Sequence, residues 1–177
     1  MTKQTFKVDP THTSVDFSVK HMMVSKVKGA FHEFDVNLVA DPADLTTAEI
    51  EFKIGVESID TRNKQRDDHL RSADFFDIEN HPQMIFKSNN VTKVSEDVYE
   101  VTGDLSIAGK SNTETFTVNF EGSGKDPWGN QVFGFSAEGK VKRSDYGITY
   151  NAALETGGVL IGDEIKINIE LEAMLEA

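Results

Sequence analysis

The chain has 177 residues, with 18 basic against 30 acidic side chains, a formal net charge of −12 and no cysteine. That length suits a single domain over residues 1–177 with a sizeable core, the charge argues against nucleic acid or an anionic membrane as partner, and the missing cysteine removes disulfides, thiol nucleophiles and thiolate metal sites. No apolar run approaches the ~20 residues of a transmembrane helix, and the opening MTKQTFKVDP shows no apolar leader, so a cytoplasmic location is expected.

The elements follow in chain order. Val15, Phe17, Val19 and His21 share a parity within a strand over 12–21, which starts after the Asp9-Pro10 turn signal. His32, Phe34, Val36, Leu38 and Ala40 share one within a strand over 27–40, and Ala48, Ile50, Phe52, Ile54 and Val56 within one over 46–58. Alternation stops at Asn63–Asp77, a charge-dense stretch that reads as a helix near 63–72 and a turn into Phe75-Phe76. It resumes with Met84 and Phe86 in a strand over 83–94, Tyr99 to Ile107 with Leu105 over 98–108, Phe116, Val118 and Phe120 over 112–122, and Phe133 and Phe135 over 131–143. Asp145–Gly162 is glycine-bearing and reads as a loop with room for a helical turn; Ile165, Ile167, Ile169 and Leu171 belong to a last strand over 164–175.

Eight one-sided strands must fold over their common apolar face. Several exceed the usual five or six residues, and closure removes the edges of so long an antiparallel sheet. The expected fold is therefore all-β, an eight-stranded antiparallel barrel with one short helix. Such a barrel is either filled by its own side chains or holds one small ligand, and composition leaves both open. Of 16 aromatic residues 12 are Phe, so the inner surface is hydrocarbon almost throughout. A hollow version would suit a linear hydrocarbon chain, whose burial is worth about 0.8 kcal/mol per methylene.

Catalytic and cofactor signatures are scarce. Gly122-Ser123-Gly124 lies between strands, not at a strand-to-helix elbow, and Gly109-Lys110-Ser111 is followed by a strand instead of a helix, so neither a nucleophile elbow nor a phosphate loop is expected. His21 and His32 share their strands' apolar parity and could meet as two metal ligands, or stand as hydrogen-bonded or mouth-facing histidines. Asp67, Asp68, Asp74 and Asp77 could hold a cation, or form a solvated face paired with Arg66 and Arg71. No metal and no cofactor are expected.

Four blocks then stand in order: Asp9-Pro10-Thr11-His12-Thr13-Ser14-Val15 with Lys20-His21 and Val27–Phe31; Arg66–Asp77 with Pro82 and Phe86; Gly103–Gly109; and Arg143–Ile148. Together they resemble the YceI-like family. The resemblance implies a lipocalin-like barrel around a long apolar pore that binds polyisoprenoids or other long-chain amphiphiles, with no catalytic set to carry over, and a homodimer as a possible assembly. The expected function is non-catalytic binding, transport or storage of a long-chain isoprenoid-type lipid. Its tail would lie along Val15, Phe17, Val19, Phe34, Val36, Phe52, Ile54, Phe86, Leu105, Phe116, Val118, Phe133, Phe135, Ile167 and Ile169. An anionic head group needs a cation in a chain of this charge; Arg66, Arg71 and Arg143, with His69 and His21, are the candidates. The alternatives are a fatty-acid or other amphiphile carrier, a hydrolase or isomerase of a lipid-like substrate with His21 or His69 as base, and a filled barrel acting as a scaffold.

Overall fold

The computed structural model describes residues 2–22, 24–151 and 161–175. The strands are β1 (Gln4–Val8), β2 (Ser14–His21), β3 (Ser25–Phe31), β4 (Phe34–Asp41), β5 (Asp44–Gly55), β6 (Ile59–Asp60), β7 (Gln83–Ser95), β8 (Val98–Ile107), β9 (Lys110–Lys125), β10 (Gln131–Lys142) and β11 (Ile161–Leu175). Helix α1 (Lys64–Arg71) lies between β6 and β7, and short 3-10 turns cover Pro10–His12, Val56–Ser58 and Arg143–Tyr146.

Eight strands close an antiparallel ring in the order β1–β4–β5–β7–β8–β9–β10–β11 and back to β1. β2 continues β1 along the edge of β11, β3 pairs with β2 and leads into β4, and β6 pairs with the end of β3. The chain thus winds as an up-and-down barrel whose first two staves, β1/β2 and β3/β4, are each kinked once. The tight turns β4–β5, β7–β8 and β9–β10 gather at one end, called here the rim. The β5–β7 connection with α1, the β8–β9 turn and the Arg143–Tyr146 turn gather at the other, the helix end.

Both kinks have local causes. In the first, Asp9 Oδ1 accepts from the Thr11 amide (2.9 Å) and hydroxyl (2.7 Å), Pro10 opens the turn, and the Thr13 hydroxyl donates back to the Asp9 carbonyl (2.7 Å). Residue 12 therefore sits in a turn, not at the start of the expected strand, and β1 is a strand that the sequence pattern did not single out. In the second, the Ser58 hydroxyl accepts from the amides of His32 (3.0 Å) and Glu33 (2.9 Å), the two residues that leave the ladder. The inward parity resets across this break. Phe31 is buried and Phe34 packs on the core, while His32 turns outward, its Nε2 3.1 Å from Asp60 Oδ2.

That reset corrects the expected parity of His32. His21 pairs in register with Ser25, at the opposite end of the β2–β3 hairpin, so the two histidines do not meet. Helix α1 falls inside its expected span, with the Asn63 side chain accepting from the Arg66 amide (3.0 Å) as N-cap. The expected loop after Asp145 is preceded by the Arg143–Tyr146 turn, which ends on Gly147 at φ 72°; residues 152–160 lie outside the described ones, and β11 starts at Ile161, ahead of the expected 164.

Candidate ligand-binding cavity

Inside the barrel the inward faces border a cavity of about 180 Å³. It is long and narrow. On β8 the lining runs from Tyr99 to Ile107, roughly 26 Å of strand at ~3.3 Å per residue and about 20 Å of axial length at a tilt near 40°. Among the described residues, every lining side chain apart from the exposed Asp16 and the phenol of Tyr99 is hydrocarbon or thioether.

The barrel stays open along its axis because of how its phenylalanines lie. Phe17 and Gly29 are cross-strand partners, and a Cβ on Gly29 would stand 2.4 Å from the Phe17 ring. Likewise a Cβ on Gly103 would meet the Phe86 ring at 2.7 Å, and one on Gly139 the Phe116 ring at 2.4 Å. Each ring thus fills the place of a missing side chain on the neighbouring strand and lies against the wall instead of across the axis. Phe86 and Phe116 also meet edge to face, with ring centroids 5.2 Å apart, which braces both against the wall.

The helix end is plugged. Val56, Ile59, Phe75, Tyr146 and Ile148 are buried there, with Leu70, Phe76 and Ile78 packed against them. Ion-paired and backbone-bonded side chains hold the plug in place. Asp67 is buried and accepts from the Thr61 amide (3.0 Å) and hydroxyl (2.5 Å). Arg66 donates to the Thr61 hydroxyl (2.8 Å) and carbonyl (2.6 Å), and Arg71 to the carbonyls of Glu57 (3.0 Å) and Ile59 (3.1 Å) and to Asp68 (3.1 Å). Asp68 is further paired with Lys64, Asp74 with His69 and Asp77 with Asn80, so these acids are engaged in the helix and its turn.

Arg143 is buried and its guanidinium donates to four carbonyls, those of Gly162 (2.9 Å), Ile148 (3.1 Å), Tyr150 (2.8 Å) and Ile161 (3.3 Å). Burial lowers its pKa from the ordinary arginine value, with the Asp163 charge working the other way. The neighbouring Tyr146 donates to Glu114 (2.5 Å), and burial first, then that bond, push its phenol far above the usual range.

Of the residues expected to line the pore, Val15, Phe17, Val36, Phe52, Ile54, Phe86, Leu105, Phe116, Val118, Phe135, Ile167 and Ile169 border the cavity. Val19, Phe34 and Phe133 do not. Val19 pairs with Val27 near the helix end, Phe34 stacks on Phe52 at 6.0 Å, and Phe133 is buried against Phe6 in a separate cluster at the rim. The expected head-group residues Arg66, Arg71, His69, His21 and Arg143 also stand off the cavity. His69 meets Phe75 of the plug and Tyr150 edge to face, with centroids 5.0 and 4.9 Å away.

Lining residues outside the expected set include Phe6, from the unexpected β1, and Phe31, hidden by the parity reset. Leu45, Ala48, Val91, Tyr99 and Ala137 also line it. Their alternation was visible in part, but nothing local distinguishes a residue that borders empty space from one that fills it.

The family model described as the YceI-like domain matches residues 6–173. The chain belongs to the YceI-like family. A UPF0312 protein of Staphylococcus epidermidis is 44% identical over 177 residues, 99% of each chain. Among solved structures, this YceI-like chain is similar to Burkholderia cenocepacia BcnA (28% identity, TM-score 0.82, 94% of this chain and 99% of that one). It also shares the fold of a Saccharophagus degradans domain described as polyisoprenoid-binding (13% identity, TM-score 0.68, 97% and 98%).

Proposed function

We propose that this YceI-like protein binds a long-chain isoprenoid-type lipid in the bore of its barrel, for transport or storage and without chemical change. The observation that carries the reading is the continuous hydrocarbon-lined cavity along the axis. A barrel filled by its own side chains would leave no such space. A flexible linear tail suits the long, narrow shape, and each buried methylene contributes about 0.8 kcal/mol. The polyisoprenoid-binding description of a domain with the same fold supports the same class of ligand. Catalysis with His21 or His69 as base has no support in this geometry, because neither histidine borders the cavity.

Native mass spectrometry of freshly purified protein, followed by organic extraction, tests the reading. One prenyl lipid per chain is the expected result. A straight-chain fatty acid would move the ligand class, and a delipidated protein that takes up no long-chain probe at all would end the proposal.

A further inference from the structure

The rim end carries two groups that the plugged end does not match. Tyr99 is 8% exposed and borders the cavity, and its hydroxyl has no hydrogen-bond partner among the described residues. No buried side-chain oxygen or nitrogen among the described residues lacks a partner, so the Tyr99 hydroxyl keeps accessible surface and is free to donate. The cross-strand partner of Tyr99 is Lys93, and directly paired residues on antiparallel strands project from the same face of the sheet. Val91↔Val101, two positions along, confirms that this face is the inner one, since both line the cavity. Lys93 is exposed at the rim and makes no salt bridge among the described residues. Its charge reaches Asp44 at the start of β5, whose carboxyl pKa Lys93 helps to lower as the smallest of several causes.

An accessible phenol O–H without a partner among the described residues, at the end of an otherwise apolar bore and with an ammonium on the paired residue at the water boundary, is the pattern of a head-group site. We infer that Tyr99 and Lys93 form the head-group end of the cavity and select a prenyl amphiphile with an oxygen-bearing, negatively charged head. Tyr99 donates to the oxygen next to the hydrocarbon and Lys93 faces the charge outside it. The tail then runs from the rim toward the α1 plug, opposite to the direction that head-group contacts at Arg66, Arg71, His69 or Arg143 would require. This inference rests on the bore holding a lipid and adds which way round the lipid lies and what its head must be.

The test uses delipidated full-length protein and three probes that share one prenyl skeleton: phytane, geranylgeraniol and geranylgeranyl monophosphate, all delivered from cyclodextrin. Tyr99→Phe is expected to weaken the alcohol and the phosphate about three- to tenfold, the ratio for one net hydrogen bond. Lys93→Gln is expected to weaken the phosphate by a similar factor and leave the alcohol unchanged. Neither variant should alter phytane binding, which doubles as the check that the bore is intact. Wild-type affinity of both variants for all three probes would overturn the head-group assignment while leaving the bore reading in place. So would a loss confined to Arg66→Ala. Failure of the wild-type protein to bind any of the three, phytane included, would overturn both.

Discussion

The two ends of the barrel solve opposite problems. At the helix end, cationic side chains are turned inward to hold backbone. Arg66, Arg71 and Arg143 all donate to main-chain carbonyls, and apolar side chains from α1 and its turn seal the bore behind them. At the rim, Phe6, Leu38, Ala40, Phe133 and Ala173 are buried in a cluster without any arginine, and Tyr99 and its cross-strand partner Lys93 have no carbonyl or carboxylate bonded to them among the described residues. An arginine at the end of an apolar bore is therefore not, by its charge alone, a head-group ligand. What matters is whether its N–H groups are already committed, and here the committed arginines lie at the closed end.

The largest expected effect comes from breaking the closed end. Arg143→Ala leaves four carbonyls without their donor, and unfolding by urea should show a loss of about 3 kcal/mol. The affinity ratio between geranylgeranyl monophosphate and geranylgeraniol should stay at the wild-type value. A variant of unchanged stability that no longer tells the two heads apart would reverse the roles assigned to the two ends.

Next comes the wall between them. Gly139→Ala places a methyl against the Phe116 ring, 2.4 Å from its nearest atom, and the ring must swing toward the axis. Overpacking of this kind costs about 1–3 kcal/mol, and uptake of phytane should fall by about tenfold or more, since a blocked bore loses several methylene contacts at ~0.8 kcal/mol each. Adding Phe116→Ala should restore uptake. If Gly139→Ala binds phytane like the parent protein, the rings do not set the bore.

The smallest effect lies at the seam, where the kink between β1 and β2 touches β11. His12 Nδ1 is 2.8 Å from Asp9 Oδ2 and 3.2 Å from Glu172 Oε2. Hydrogen bonds from Thr11 and then from His12 hold the Asp9 carboxyl at about 2. The bond to Asp9, followed by the Glu172 charge, raises the His12 pKa above its ordinary value. Asp9 has a depressed folded-state pKa, so its contribution is present above the ordinary carboxylate value and is lost as pH falls through about 2. His12 has a raised one, so its contribution is complete below the ordinary imidazole value and is lost as pH rises through the folded value. The seam should be tightest in mildly acidic solution. Titration of the His12 ring by NMR should show its pKa falling in Glu172→Gln, with no change in ligand preference at either end.

Period-two alternation made most of the barrel legible, because the direction of a strand side chain depends only on its own position along the pleat. Hence Phe52, Leu105 and Ile167 could be assigned to the interior without knowing their neighbours. The same rule failed at His32, where Ser58, 26 residues away, takes the amides that would have continued the ladder. The structure places the charged candidates off the cavity for a related reason: nothing in the composition around Arg143 shows that Ile148, Tyr150, Ile161 and Gly162 will bring four carbonyls to it.

The sequence by itself determined that an apolar sheet must close on itself and that its inner face is mostly phenylalanine and aliphatic. Whether that interior is solid or hollow was decided by register. Gly29 had to fall opposite Phe17, and Gly103 and Gly139 beside Phe86 and Phe116, for the rings to lie on the wall and leave the axis free. Those partners are separated along the chain and meet only when the strands pair, so the vacancy belongs to the tertiary structure.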